Sequence, residues 1–109
     1  MAKNDYTGTW RITGMELWDQ EYVNMEVPGF INIASRGWGE FQFGLVRGGI
    51  DWNLEVVNGM ERIEFSWNGE DESTPASGRG WAVLDGIQLK GRFYFYMGDN
   101  SGFTARRKG

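Results

Sequence analysis

The chain of 109 residues contains no cysteine and no histidine. Disulfide scaffolds are therefore excluded, and so are zinc sites built on Cys or His ligands. Ser-His-Asp and Cys-His nucleophilic catalysis fall with them. Proline is scarce, with two residues, and no apolar run approaches the length of a transmembrane helix. Positive charge is also short: 11 Lys and Arg stand against 15 Asp and Glu, a net charge of −4. Broad attraction to nucleic acid or to an anionic membrane is not expected from that balance. The one basic cluster, Arg106-Arg107-Lys108, reads as a solubilising tail. The stretch Met1 to Tyr6 is polar and carries no apolar core of a signal peptide, so a soluble cytoplasmic protein is the expectation.

What the chain has in quantity is glycine, 17 residues, and aromatics: six Trp, four Tyr and seven Phe spread along its length. Glycine supplies the positive φ angles of tight turns, and the rings supply apolar area for a core, which argues against disorder. Ile50, Trp52, Leu54 and Val56 alternate with Asp51, Asn53 and Glu55. Asn58-Gly59 follows, and Met60 to Trp67 resumes the alternation; that is a hairpin signature. The remaining strands are expected at Tyr6–Trp18 (with Gly14 marking a bulge), Phe30–Ala34, Trp38–Val46, Trp81–Leu84, Ile87–Met97 and Phe103–Lys108. Turns are expected at Ser35-Arg36-Gly37, Arg47-Gly48-Gly49, Asp85-Gly86 and Gly98–Gly102, and residues 68–80 read as one long polar loop. Asp19–Val27 reads equally as strand, helical turn or loop over a barrel end. Eight short strands with short connections predict a single all-β domain, an antiparallel up-and-down meander barrel. An open sheet or a two-sheet sandwich is the alternative.

Gly8-Thr9-Trp10 resembles the Gly-x-Trp signature that opens the first strand of lipocalins and avidin-like proteins. The resemblance implies a calycin-like barrel in which Trp10 packs across the closed end beneath a basic residue of the last strand, Arg106 or Arg107. Both Trp10 and Arg107 would then be structural. Residues 78–82 and 98–106 are also similar to a pattern of small bacterial proteins of uncharacterised function, which implies no activity.

Alternation places Trp52, Trp67, Trp81, Phe43, Phe65, Phe93 and Phe95 on a common interior, with Phe43, Trp52, Trp67 and Phe95 the expected ligand contacts. They form either packed core or the lining of a site for a small apolar or aromatic ligand. The last aromatic strand carries rings on both faces, Phe93 and Phe95 on one and Tyr94 and Tyr96 on the other. A barrel strand needs one apolar face, so Tyr94 and Tyr96 are candidates for a homodimer or protein-partner interface, joined by Trp18 or Trp38. Asp99 with Ser101, and Glu70-Asp71-Glu72, read as turn chemistry and solvated charge rather than metal ligands. No phosphate loop, nucleophile elbow or dinucleotide fingerprint is present. The sequence predicts a non-catalytic protein with no cofactor and no metal. Its function is either ligand binding inside the barrel or partner binding on an exposed aromatic surface.

Overall fold

A computed structural model describes residues 5–108, in which eight antiparallel strands close into a barrel in strict sequence order. The strands are β1 (Gly8–Met15), β2 (Phe30–Ala34), β3 (Trp38–Phe43), β4 (Val46–Val57), β5 (Met60–Asp71), β6 (Thr74–Asp85), β7 (Gln88–Phe95) and β8 (Asn100–Arg107). β8 pairs with β1 from Arg107 opposite Trp10 to Phe103 opposite Met15, which removes both sheet edges. The register slips between Ile12 and Gly14, so the expected bulge is there. Neither an open sheet nor a sandwich forms. The reading of residues 1–4 as a polar start lies outside the described residues.

Asp19–Val27, ambiguous in sequence, contains a one-turn helix, α1 (Gln20–Val23). The Asp19 side chain caps it by accepting from the Tyr22 backbone N–H at 2.9 Å. A 3-10 turn at Ser35–Gly37 links β2 to β3, as the turn residues implied. Asn58 and Gly59 have φ of 51° and 78°, the left-handed pair that a two-residue hairpin of matching twist requires.

Three boundaries differ from expectation by a whole segment, and two share one cause; β1 also spans Gly8–Met15 rather than reaching Trp18, and β7 stops at Phe95 rather than Met97. The β3–β4 turn is Gly44-Leu45, with Arg47-Gly48-Gly49 inside β4. Residues 68–80 are no loop: β5 runs to Asp71, turns at Glu72-Ser73, and β6 starts at Thr74. In both places glycine lies in a strand because its neighbours are large. Gly80 pairs with Phe65 on one side and Phe93 on the other, and Gly78 with Trp67 and Phe95. A Cβ on Gly80 would run into the Phe65 ring. Likewise Gly48 lies beside Phe41, and a Cβ there would stand 3.2 Å from its ring. Small residues alternate with rings across strands so that an eight-stranded interior can hold the rings. At the third boundary, Asn100, Ser101 and Gly102 belong to β8 and not to the turn before it.

The core runs the length of the barrel and includes Ile12, Ile31, Ile33, Phe41, Ile63, Leu89 and Phe93, all at most 2 % exposed. The β4–β5 hairpin is longer than its neighbours. β3 pairs with β4 only as far as Asp51, and β6 pairs with β5 only from Ile63, so residues 55–62 project beyond both neighbours as a two-stranded ribbon, while Trp52 and Leu54 still pack on the core. No helix among the described residues is long and apolar enough to cross a membrane.

Candidate functional site

In an up-and-down barrel alternate connections fall at the same end. The β1–β2, β3–β4, β5–β6 and β7–β8 connections, with α1, form one end, called here the helix end. The other end holds Tyr6, Trp10 and the projecting ribbon.

Rings occupy the interior. Phe93 lies at the centre, with ring centroids of Phe41, Phe103, Phe43 and Phe65 at 4.8, 5.0, 5.3 and 5.4 Å. Three of the four residues expected to line a ligand site come together at the helix-end side of this cluster: Phe95 lies 5.1 Å from Trp67 and 6.5 Å from Phe43. They pack on one another. Trp52 is elsewhere, toward the opposite end. Its indole N–H is shared between the Ala34 and Trp38 carbonyls, at 3.0 and 2.9 Å, where it fastens the β2–β3 turn to β4.

Trp18 closes the helix end. It is half-buried and lies 5.2 Å from Phe43, 6.0 Å from Phe95 and 6.2 Å from Tyr22. The segment that carries it is tied to β8 by two successive backbone donors. Glu16 N–H donates to the Gly102 carbonyl at 3.0 Å, and Leu17 N–H donates to Ser101 Oγ at 3.1 Å. Ser101 is thus fully buried and spent on backbone, not aimed at a cation with Asp99. Tyr22 lies over Gly44, where any Cβ would clash with its ring, and its hydroxyl accepts from Leu45 N–H at 3.2 Å. The helix end is therefore sealed by side chains that are individually tied down.

Outside that seal the helix end exposes large apolar groups: Met97 (90 %), Tyr96 (75 %), Met25 (53 %) and Leu17 (50 %). A surface cleft of about 380 Å³ runs beside Tyr96 and Met97, with Arg79, Tyr94 and Phe95 on its walls. The two tyrosines expected at an interface differ. Tyr96 is open, whereas Tyr94 is half-buried with the Arg79 guanidinium 4.2 Å above its ring. Around these groups every charged residue in the four connections is a carboxylate: Glu16, Asp19, Glu21, Glu26, Glu72 and Asp99. Glu70 and Asp71 adjoin them, with Arg47 paired to Glu70 at 3.5 Å. The Glu16 carboxyl is held below its ordinary pKa, first by the Gly102 N–H and then by Arg92, whose guanidinium lies 2.8 Å away. Among the described residues no group of three carboxylates is placed to hold a metal.

Several other outward charges are held in structural pairs. Arg62 bonds Glu64 at 2.6 Å and stacks 4.9 Å from the ring of Trp81, which faces outward rather than into the interior because Gly80 and Ala82 take the inward positions of β6. Arg92 also bonds Asn100 at 2.8 Å, and Lys90 meets Asp85 at 2.8 Å. At the opposite end Arg107, not Arg106, lies 4.3 Å over Trp10 and donates to the Thr7 and Asp5 carbonyls at 2.6 Å each. Tyr6 is fully buried there. Burial raises its phenol pKa above the ordinary value, the Leu84 backbone acts the other way, and the Glu61 and Asp5 carboxylates add to the rise.

The pairing of Tyr96 and Met97 with a uniform carboxylate rim was not read from the sequence. The strand boundaries hid it: the connections expected at 47–49 and 68–80 contain Arg47 and Arg79, and only with both arginines inside β4 and β6 do the four connections at this end carry carboxylates alone. The chain matches no family model, and comparison with curated proteins and with solved structures finds no match.

Proposed function

We propose that the chain is a non-catalytic protein-interaction module that docks a basic, partly apolar segment of a partner protein on the helix end of the barrel. One observation carries this reading: the most exposed large apolar side chains, Tyr96 and Met97, sit at an end whose connections carry carboxylates and no Lys or Arg. Apolar groups inside a charged rim have the anatomy of an interface. The apolar groups supply buried area, and the rim steers a basic partner and rejects acidic ones. A second copy of the chain is a poor occupant, since a two-fold contact at this end sets carboxylate against carboxylate. The interior supports the same direction, because the rings that could line a ligand site there pack on one another around Phe93.

Two peptides of equal length and charge test this, one alternating lysine with leucine and tryptophan, the other lysine with serine. Calorimetry is expected to show the apolar peptide binding about tenfold tighter or more, a difference of about 1.4 kcal/mol. Tyr96→Ser with Met97→Ser is expected to reduce it to the level of the serine peptide. Equal affinity for the two peptides, or a double variant that binds as the parent does, would overturn the proposal.

A further inference from the structure

The projecting β4–β5 ribbon leaves part of one strand without a neighbour. β3 ends its pairing at Trp38 opposite Asp51, and the Ser35–Gly37 turn reaches only as far as the Trp52 carbonyl, which a Cβ on Gly37 would approach to 3.0 Å. Beyond it, residues 53–57 pair with β5 alone. Among the described residues no backbone hydrogen bond from outside the hairpin reaches them. Five residues of antiparallel edge span about 17 Å of alternating N–H and C=O groups, a template for another strand. The other flank of the ribbon is not open in the same way, since Tyr6 is buried near Glu61 and the Leu84 backbone.

Side chains around this edge define what could pair with it. Val56 (68 % exposed), Met60 (65 %) and Trp38 (57 %) present apolar surface at the ribbon and beside it. The outward face is acidic. Glu55 stands at mid-edge, fixed by Asn53 Nδ2 at 2.5 Å, with Asp51 on the same face. Arg62, across the hairpin from Glu55, is committed to Glu64 and to the Trp81 ring. Among the described residues no lysine or arginine forms an ion pair with Glu55, which leaves its exposed carboxylate open to a cation of another chain.

We propose that the 53–57 edge of β4 accepts an extended strand of a partner protein, with apolar side chains beside Leu54 and Val56 and a lysine or arginine opposite Glu55. This is recognition by strand addition: main-chain bonds supply affinity, and alternate side chains supply selectivity. A second copy is disfavoured because edge-to-edge pairing would bring two acidic ribbons together. The site is at the opposite end of the barrel from the carboxylate-rimmed surface and stands independently of that reading.

The test uses the whole chain, labelled with ¹⁵N, and an amidated seven-residue peptide alternating valine with lysine. Amide hydrogen exchange is expected to slow at alternate residues between 53 and 57 when the peptide is added. The same peptide N-methylated on every second residue is expected not to bind, and Glu55→Lys is expected to weaken the parent peptide by about tenfold. Unchanged exchange over 53–57 would overturn the proposal. So would equal binding of the methylated peptide, or slowed exchange confined to residues 16–29 and 96–99. Protection of 53–57 that rises with protein concentration and needs no peptide would assign the edge to a second copy instead.

Discussion

Phe93→Ala is the sharpest perturbation of the packed interior. Phe93 is fully buried and touches four aromatic rings at 4.8 to 5.4 Å. Truncating a buried Phe to Ala costs about 3–5 kcal/mol. Aromatic pairs add roughly 0.5–1.5 kcal/mol each beyond their area, without strict additivity, which puts Phe93 near the top of that range. A chain of this size has a total stability of about 5–15 kcal/mol, so the variant folds only marginally. Urea unfolding is the assay, with an unchanged m-value showing that the denatured state is the same. The cavity left behind is lined by rings and should bind benzene. At a hundredfold excess over its dissociation constant, benzene restores about 2.7 kcal/mol to the variant and nothing to the parent. A loss below about 1.5 kcal/mol, or stabilisation of the parent by benzene, would refute the claim that Phe93 and its neighbours fill the barrel.

Four further outcomes follow from named contacts. Gly80→Val drives a side chain into the Phe65 ring and the Arg92 carbonyl, so melting should reveal a loss of about 3 kcal/mol. Glu72 and Ser73 turn at φ of 50° and 71°, so replacing them with Asn-Gly should raise Tm by several degrees, corresponding to roughly 1 kcal/mol. Arg107→Ala removes the stack on Trp10 and two bonds to backbone carbonyls, and thermal unfolding should register a loss of about 1–3 kcal/mol. The Glu16 carboxyl is depressed in the folded state, so its contribution is present above its unfolded pKa and is lost as pH falls through the folded value. Glu16→Gln should therefore flatten the acid limb of the stability curve while leaving its shape above pH ~6 unchanged.

Much of the fold was legible because its signals are local. Asn58-Gly59 between two alternating runs fixes the β4–β5 hairpin, and Gly14 marks the slip in β1. The β5–β6 hairpin was hidden because its interior positions are Ala76, Gly78, Gly80 and Ala82, a composition that signals a loop when read alone. Only the neighbouring strands, which set Phe65, Trp67, Phe93 and Phe95 against those positions, explain why they are small. The site was legible in part for a similar reason. Alternation put Phe43, Trp67 and Phe95 inside, but the separation of Trp52 along the barrel depends on register, which no single strand encodes. Tyr94 and Tyr96 share a face of the sequence pattern yet part company in space, because Arg79 on β6 covers one and β7 ends before the other.

The most direct measurement of the account is a chemical-shift map of the ¹⁵N-labelled chain titrated with the lysine, leucine and tryptophan peptide. Changes centred on Leu17, Met25, Tyr96 and Met97, weakening with added salt, are the predicted result. Changes centred on the amides around Phe43, Trp67 and Phe93, or spread without focus over the surface, would contradict it.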